Sequence, residues 1–150
     1  MTAPAASQDI PYSAFRKLAD FRYQIRQFLH FSEAAARANG IEPQQHQLLL
    51  AIKGLPHGVR PTITALSERL CLRHHSTVEL INRLAEHGAI VRHPSEQDRR
   101  EVLIDLTPHG EELLRRLSLL HWQELQTTGP ELSEALQAIV RQPVCEGDAA

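Results

Sequence analysis

The sequence predicts a mainly α-helical chain carrying one small β-hairpin, and three observations support that. Apolar residues recur at three- and four-residue spacing through most of the length, the period of helices with one buried face. Alternation with a period of two is confined to one place, where Val102, Ile104 and Leu106 interleave with Leu103 and Asp105. Before it stand a polar, turn-like run (PSEQDRR, 94–100) and a shorter apolar run (AIVRH, 89–93), so two strands and their turn lie end to end.

Taken in order, residues 1–11 read as a loose tail rich in Ala, Ser and Pro. A long helix is expected from Tyr12 to Asn39, with Phe15, Leu18, Phe21, Ile25, Phe28, Leu29 and Phe31 at helical spacing and Gly40 as its stop. Pro43 opens a second helix with Leu48, Leu49 and Ile52 on its apolar side, running out at Gly54-Leu-Pro-His-Gly58. Thr62 or Thr64 can cap a short third helix that ends near Leu70. The fourth covers about His74 to Glu86, and Gly88 stops it. After the hairpin, Thr107-Pro108 is a strong helix start, a capping hydroxyl followed by proline at the first position. That fifth helix is expected to end before Gly129-Pro130, with a sixth over about 131–142 before the tail PVCEGDAA.

Composition narrows the function classes. A 150-residue chain that is 42% apolar and 23% charged suits one soluble domain with a real core. No apolar run approaches the roughly 20 residues of a membrane span, and MTAPAASQDI lacks the basic and apolar regions of a signal peptide. Cys71 and Cys145 show no pairing pattern, so a cytoplasmic protein with reduced thiols is expected. Net charge is −2, but residues 60–100 carry seven arginines against five acids, a local +2, with four of the nine histidines. A basic bias confined to one segment suits a local polyanion contact.

The segment Thr64–Leu84 is patterned as two helices joined by a short turn. Leu66, Leu70 and Leu72 on one side, and Thr77, Leu80, Ile81 and Leu84 on the other, supply a shared apolar seam. Cys71 takes the turn position where glycine is usual. That departure is tolerable if its backbone avoids the left-handed region, and a small buried residue is expected. The polar face of the second of these helices presents Arg73, His74, His75, Ser76, Glu79, Asn82 and Arg83. Arginine can hold guanine through two hydrogen bonds, asparagine can hold adenine, and the helix start attracts phosphate. With a two-stranded ribbon following at once and arginines at its tip, the whole is a winged helix-turn-helix.

The stretch HPSEQDRREVLIDLTPHG resembles the wing signature of the MarR (multiple antibiotic resistance regulator) family. Asp98, Arg100, Leu106, Thr107 and Gly110 match its D-x-R, strand and L-T-x-x-G pattern, and LAEHGAIVR at 84–92 resembles its link from recognition helix to wing. The resemblance covers about residues 60–115 by motif and the flanking helices by order and length. It implies a single MarR-like domain over 12–150, with dimerisation helices at about 12–39 and 107–142 flanking a winged helix-turn-helix at about 43–106. It further implies a homodimer that regulates transcription, as a repressor of a palindromic operator in double-stranded DNA. In that reading Arg100 enters the minor groove, Asp98 orients its guanidinium through a charged pair, and Arg99 reaches phosphate. A small aromatic or phenolic effector is implied in a cleft whose candidate residues are His30, His46 and Trp122. One departure concerns specificity: relatives often carry arginine or a small polar residue at Glu79, and Ser-Thr at His75-Ser76. An acid there repels phosphate unless it accepts from a cytosine amino group or pairs with Arg83.

Rival readings have less support in the residues. No nucleophile motif or phosphate-cradling glycine loop argues for an enzyme, and no cofactor is implied. His74 and His75 project about 100° apart and cannot easily share one ion. His75 and Glu79 can pair at i,i+4 but lack a third ligand nearby, so no metal site is assigned. Convergence of His30, His46, His57 and His121 would favour a metal-responsive regulator. A winged-helix protein-interaction module is the other alternative, although it leaves Arg99 and Arg100 without a duty.

Overall fold

The computed structural model describes residues 9–142 and 144, so Cys145 lies outside the described residues. The chain divides into two compact units, one built from its two ends (up to Phe31 and from Trp122) and a middle unit, Ser32–His121. Helix α1 (Tyr12–Ala38) and the last helix, α5 (Pro108–Val140), each contribute to both.

In the middle unit, α1 stops where Gly40 turns to φ +81°. Helix α2 (Pro43–Lys53) opens on a capping box in which Gln45 Oε1 accepts the Glu42 amide at 2.9 Å. Thr62 caps α3 (Ile63–Leu70), its hydroxyl accepting from the Ala65 amide at 3.1 Å. Helix α4 (His74–Glu86) follows after three residues. The core gathers Leu48, Leu49 and Ile52 of α2, Leu66 of α3, and Leu80, Ile81 and Leu84 of α4. Ile90 and Ile104 of the hairpin and Leu113, Leu114 and Leu117 of α5 complete it. At the crossing of α3 and α4, the Ser67 and Thr77 hydroxyls meet at 2.9 Å. Each also lies within hydrogen-bond distance of a carbonyl one turn back, Ile63 and Arg73.

Strands β1 (Ile90–Pro94) and β2 (Val102–Leu106) pair antiparallel, with Ile90 opposite Leu106 and Pro94 opposite Val102. A third piece of chain joins them: the Ile104 amide donates to Pro61 O at 2.9 Å, and Thr62 bridges Leu103. On the expected inward face Ile104 is fully buried and Leu106 half-buried, while Val102 is exposed because the outer end of the hairpin runs past the core.

Beyond β2, one residue separates strand from helix. Thr107 caps α5, accepting the Gly110 amide at 3.1 Å and donating its hydroxyl proton to Gly88 O. Gly110 packs so closely on Ala89 that a Cβ would sit 2.0 Å from the Ala89 carbonyl oxygen. Glycine at this position is therefore a demand of packing.

Two expectations need correction. The chain has no helix break at Gly129-Pro130: α5 runs unbroken to Val140, and no separate sixth helix forms. A glycine stop needs the left-handed backbone, which Gly129 does not adopt. Pro130 removes one amide, but a 33-residue helix propagates on both sides of it. Cys71, expected to be buried and tolerable in place of glycine only outside the left-handed region, is exposed and sits in that region at φ +53°, ψ +38°. The αL residue lets the chain close α3 and re-enter α4 within three residues, and that geometric need overrides the side-chain preference.

In the unit of the chain ends, many apolar side chains lack cover. Tyr12, Phe15, Leu18, Tyr23 and Leu29 of α1 and Trp122, Leu125, Leu136 and Val140 of α5 are all exposed. Among the described residues, no helix is long and apolar enough to cross a membrane.

Candidate nucleic-acid interface

The polar face of α4 is open. Arg73, His74, His75, Glu79, Asn82 and Arg83 are exposed, and Ser76 is half-buried. Thr77, Leu80, Ile81 and Leu84 anchor the opposite face, so burial fixes which side chains point outward. Arg73 stands at the N-cap with extended backbone, no side chain caps the first turn, and that turn contains no acid. The first amides of α4 are thus available to an anion, next to a guanidinium and two imidazoles.

Not every side chain on this face is unengaged. His75 Nε2 lies 3.7 Å from Glu79 Oε1, both exposed, and among the described residues no ion pair joins Glu79 to Arg83. Arg83 instead lines an open cleft of about 340 Å³ with Glu33, Arg37 and Glu42. Asn82 Oδ1 accepts from Arg92 of β1, so a two-point hold on adenine would first require that bond to open.

The wing tip, Ser95–Arg100, is fully exposed apart from Ser95, which is buried. Asp98 does not engage the Arg100 guanidinium: its Oδ1 accepts the Arg100 backbone amide at 3.0 Å, an Asx-type turn that shapes the tip backbone. The expected charged pair is absent among the described residues, and both wing guanidiniums point their charge outward, without an acid partner there. Lower on the ribbon, His93 pairs with Asp105 across the strands.

Sequence reading missed the base of this loop. Ser95 Oγ lies within hydrogen-bond distance of the Gln97 and Asp98 amides, at 3.2 and 3.3 Å, and of Arg60 Nη1 at 3.2 Å. Arg60 in turn grips Glu101, Nη1 to Oε2 at 2.6 Å and Nη2 to Oε1 at 3.0 Å. The partners lie 35 and 41 residues from Arg60, and no local spacing signals them.

Of the four scattered histidines, two converge. The His46 and His121 rings lie 4.7 Å apart, tilted by 38°. His121 uses both nitrogens, against Leu117 O and Ser32 Oγ, each at 2.7 Å. His46 is buried and its Nδ1 has no hydrogen-bond partner. Burial, with a smaller contribution from neighbouring His121, pushes its pKa down to about 4, so the ring is neutral. Among the described residues no three metal-binding side chains come together. His30 and Trp122 are exposed and belong to the unit of the chain ends, whereas His46 belongs to the middle unit.

Comparison with known proteins places this geometry. Residues 39–101 match the model of the MarR family. A Thauera aromatica protein named for transcriptional regulation of the hcr operon is 31% identical over 114 residues, covering 76% of this chain and 67% of that protein. Among solved structures, the Staphylococcus aureus MepR–DNA complex shares the fold at TM-score 0.64 and 20% identity, covering 89% of this chain and 96% of MepR. The structure of Bordetella bronchiseptica BpsR, titled for regulation of its DNA binding by 6-hydroxynicotinic acid, matches at TM-score 0.61 and 19% identity, covering 80% and 92%. With a two-helix crossing that turns a basic face outward and a hairpin tipped by two arginines, this chain belongs to the MarR family of winged-helix, DNA-binding transcriptional regulators.

Proposed function

We propose that the protein is a cytoplasmic homodimeric repressor of a pseudo-palindromic operator. Helix α4 enters the major groove and the wing enters the adjacent minor groove. The observation that carries this reading is that one compact unit exposes both the polar face of α4 and the Arg99-Arg100 tip. Arg73, His74, His75 and Ser76 begin the groove contact, with Glu79, Asn82 and Arg83 further along. Arg100 takes the minor groove, where a narrow A·T-rich stretch concentrates negative potential. Arg99 takes phosphate, and Asp98 holds the tip backbone.

The uncovered apolar side chains of α1 and α5 favour a second copy as their cover, which would set two recognition helices about 34–36 Å apart. Relief by a small aromatic or phenolic acid is favoured by the His46–His121 pair, where the unpartnered His46 Nδ1 offers a hydrogen bond. The likeness to BpsR lends this support. A metal-responsive reading has two convergent histidines where a closed zinc site takes four ligands.

The test is selection of bound duplexes from random DNA by the full-length protein, repeated with Arg100→Ala. A palindromic consensus for the wild type, with loss of flanking preference in the variant, is expected. Unselected output from the wild type would overturn the proposal.

A further inference from the structure

We propose that Arg60 is the positioning residue of the wing: it fixes the path of the tip in advance, so that Arg100 is presented to DNA, and does not itself bind DNA. The inference rests on the wing reading above and adds a residue to it from outside the hairpin.

Loop 95–101 contains neither glycine nor proline, and nothing in its sequence imposes one path. What holds it is a relay. Arg60 grips the Glu101 carboxylate at two points and reaches Ser95 Oγ, which itself receives the Gln97 and Asp98 amides. Two backbone bonds close the loop base, Ser95 N–H to Glu101 O and Glu101 N–H to Asp98 O, each 3.0 Å. Asp98 then takes the Arg100 amide. Every step from Arg60 to Arg100 is therefore a hydrogen bond.

The support behind Arg60 is equally fixed. Pro61 and Thr62 pair against β2, and Thr62 caps α3, so the clamp stands on the helix-turn-helix and not on a free loop. Most exposed ion pairs contribute little, but this one adds a charge-assisted hydrogen bond, Nη2 to Oε1, to a close charge contact and is joined to a buried hydroxyl. Its positive charge is matched by Glu101, so contact with phosphate would require breaking the clamp. A tip held before binding loses less conformational freedom when it binds.

The test uses the full-length protein and a duplex that the wild type has selected from random DNA. Dissociation constants, hydroxyl-radical footprints and melting curves are measured for Arg60→Ala, Glu101→Gln, Arg100→Ala and the double variant Arg60→Ala/Arg100→Ala. Arg60→Ala and Glu101→Gln should each weaken binding about tenfold, the size of a typical coupling between connected residues. Minor-groove protection at the flanks should fade, while guanine protection in the major groove and the melting temperature persist. The double variant should bind no worse than Arg100→Ala alone. If removing Arg60 costs as much again in the Arg100→Ala background, or leaves the flanking footprint intact, the positioning role is overturned. If Arg60→Ala fails to fold, Glu101→Gln decides alone, because it keeps the shape and removes the charge. Wild-type affinity and footprint in Arg100→Ala would instead sink the wing reading, and the inference with it.

Discussion

The two units of this chain complete their packing differently. The middle unit gathers a buried core of leucines and isoleucines from α2, α3, α4, both strands and the first turns of α5, and satisfies the hydroxyls of Ser67 and Thr77 against each other. The unit of the chain ends leaves Tyr12, Phe15, Leu18, Trp122 and Val140 in solvent, and it carries a helix through a proline. Among the described residues every buried apolar side chain lies in the middle unit, although Leu50, Leu119 and Leu120 there are exposed, whereas the unit of the chain ends holds only partly covered or exposed apolar surface. Packing tolerance should follow that division: steep in the middle, shallow at the ends.

Gly110→Ala is the sharpest way to break the comparison. A Cβ 2.0 Å from the Ala89 carbonyl forces backbone apart, so the variant should lose about 3 kcal/mol in denaturant unfolding. A loss under about 0.5 kcal/mol would mean that this contact yields freely.

His46 tests the same unit through protons. Its folded pKa of about 4 lies below the ordinary 6.5, so between those values the unfolded chain binds a proton that the folded one refuses. Its contribution is complete above pH 6.5 and is lost as pH falls toward 4, at up to about 1.4 kcal/mol per pH unit. His46→Gln should flatten stability against pH in that window, and an unchanged slope would assign it to other groups.

Thr77→Val keeps the volume and removes the hydroxyl that meets Ser67, and should cost about 1 kcal/mol. The ends should respond in the opposite way. On the proposed homodimer, Phe15→Ser with Leu18→Ser should leave the helical signal of the middle unit in place while shifting sedimentation from dimer to monomer. A dimer that survives these changes would remove the link between the exposed side chains and self-association.

Most of the fold was legible because its signals are local. Pro43, Thr62, Gly88 and Thr107 mark helix boundaries that agree with the structure within a residue or so, and the period-two run located the hairpin. The winged class and the family followed from coupled spacings between Leu84 and Gly110. What sequence did not reveal depends on distant partners or on backbone geometry. Arg60 meets Ser95 and Glu101 across 35 and 41 residues. Asn82 is engaged by Arg92, and Asp98 serves a backbone amide in place of a guanidinium. Cys71 and Pro130 misled because a residue's preference is a bias of about 1–3 kcal/mol, which the rest of a helix or a tight turn can exceed.

The single residue between β2 and α5 has a consequence for how such a chain can vary in length. Thr107 is bonded to Gly88 and Ala89, and Gly110 is pressed on Ala89, so the start of α5 is held in both rotation and height. One residue inserted between Thr107 and Gly110, in the first turn of α5, would turn the helix after it by about 100° and shift it about 1.5 Å along its axis relative to the Thr107 anchor. Extra residues between Gly54 and Arg60 would fall in a connection outside any helix or strand. Length is therefore free to drift on one side of the helix-turn-helix and is locked on the other.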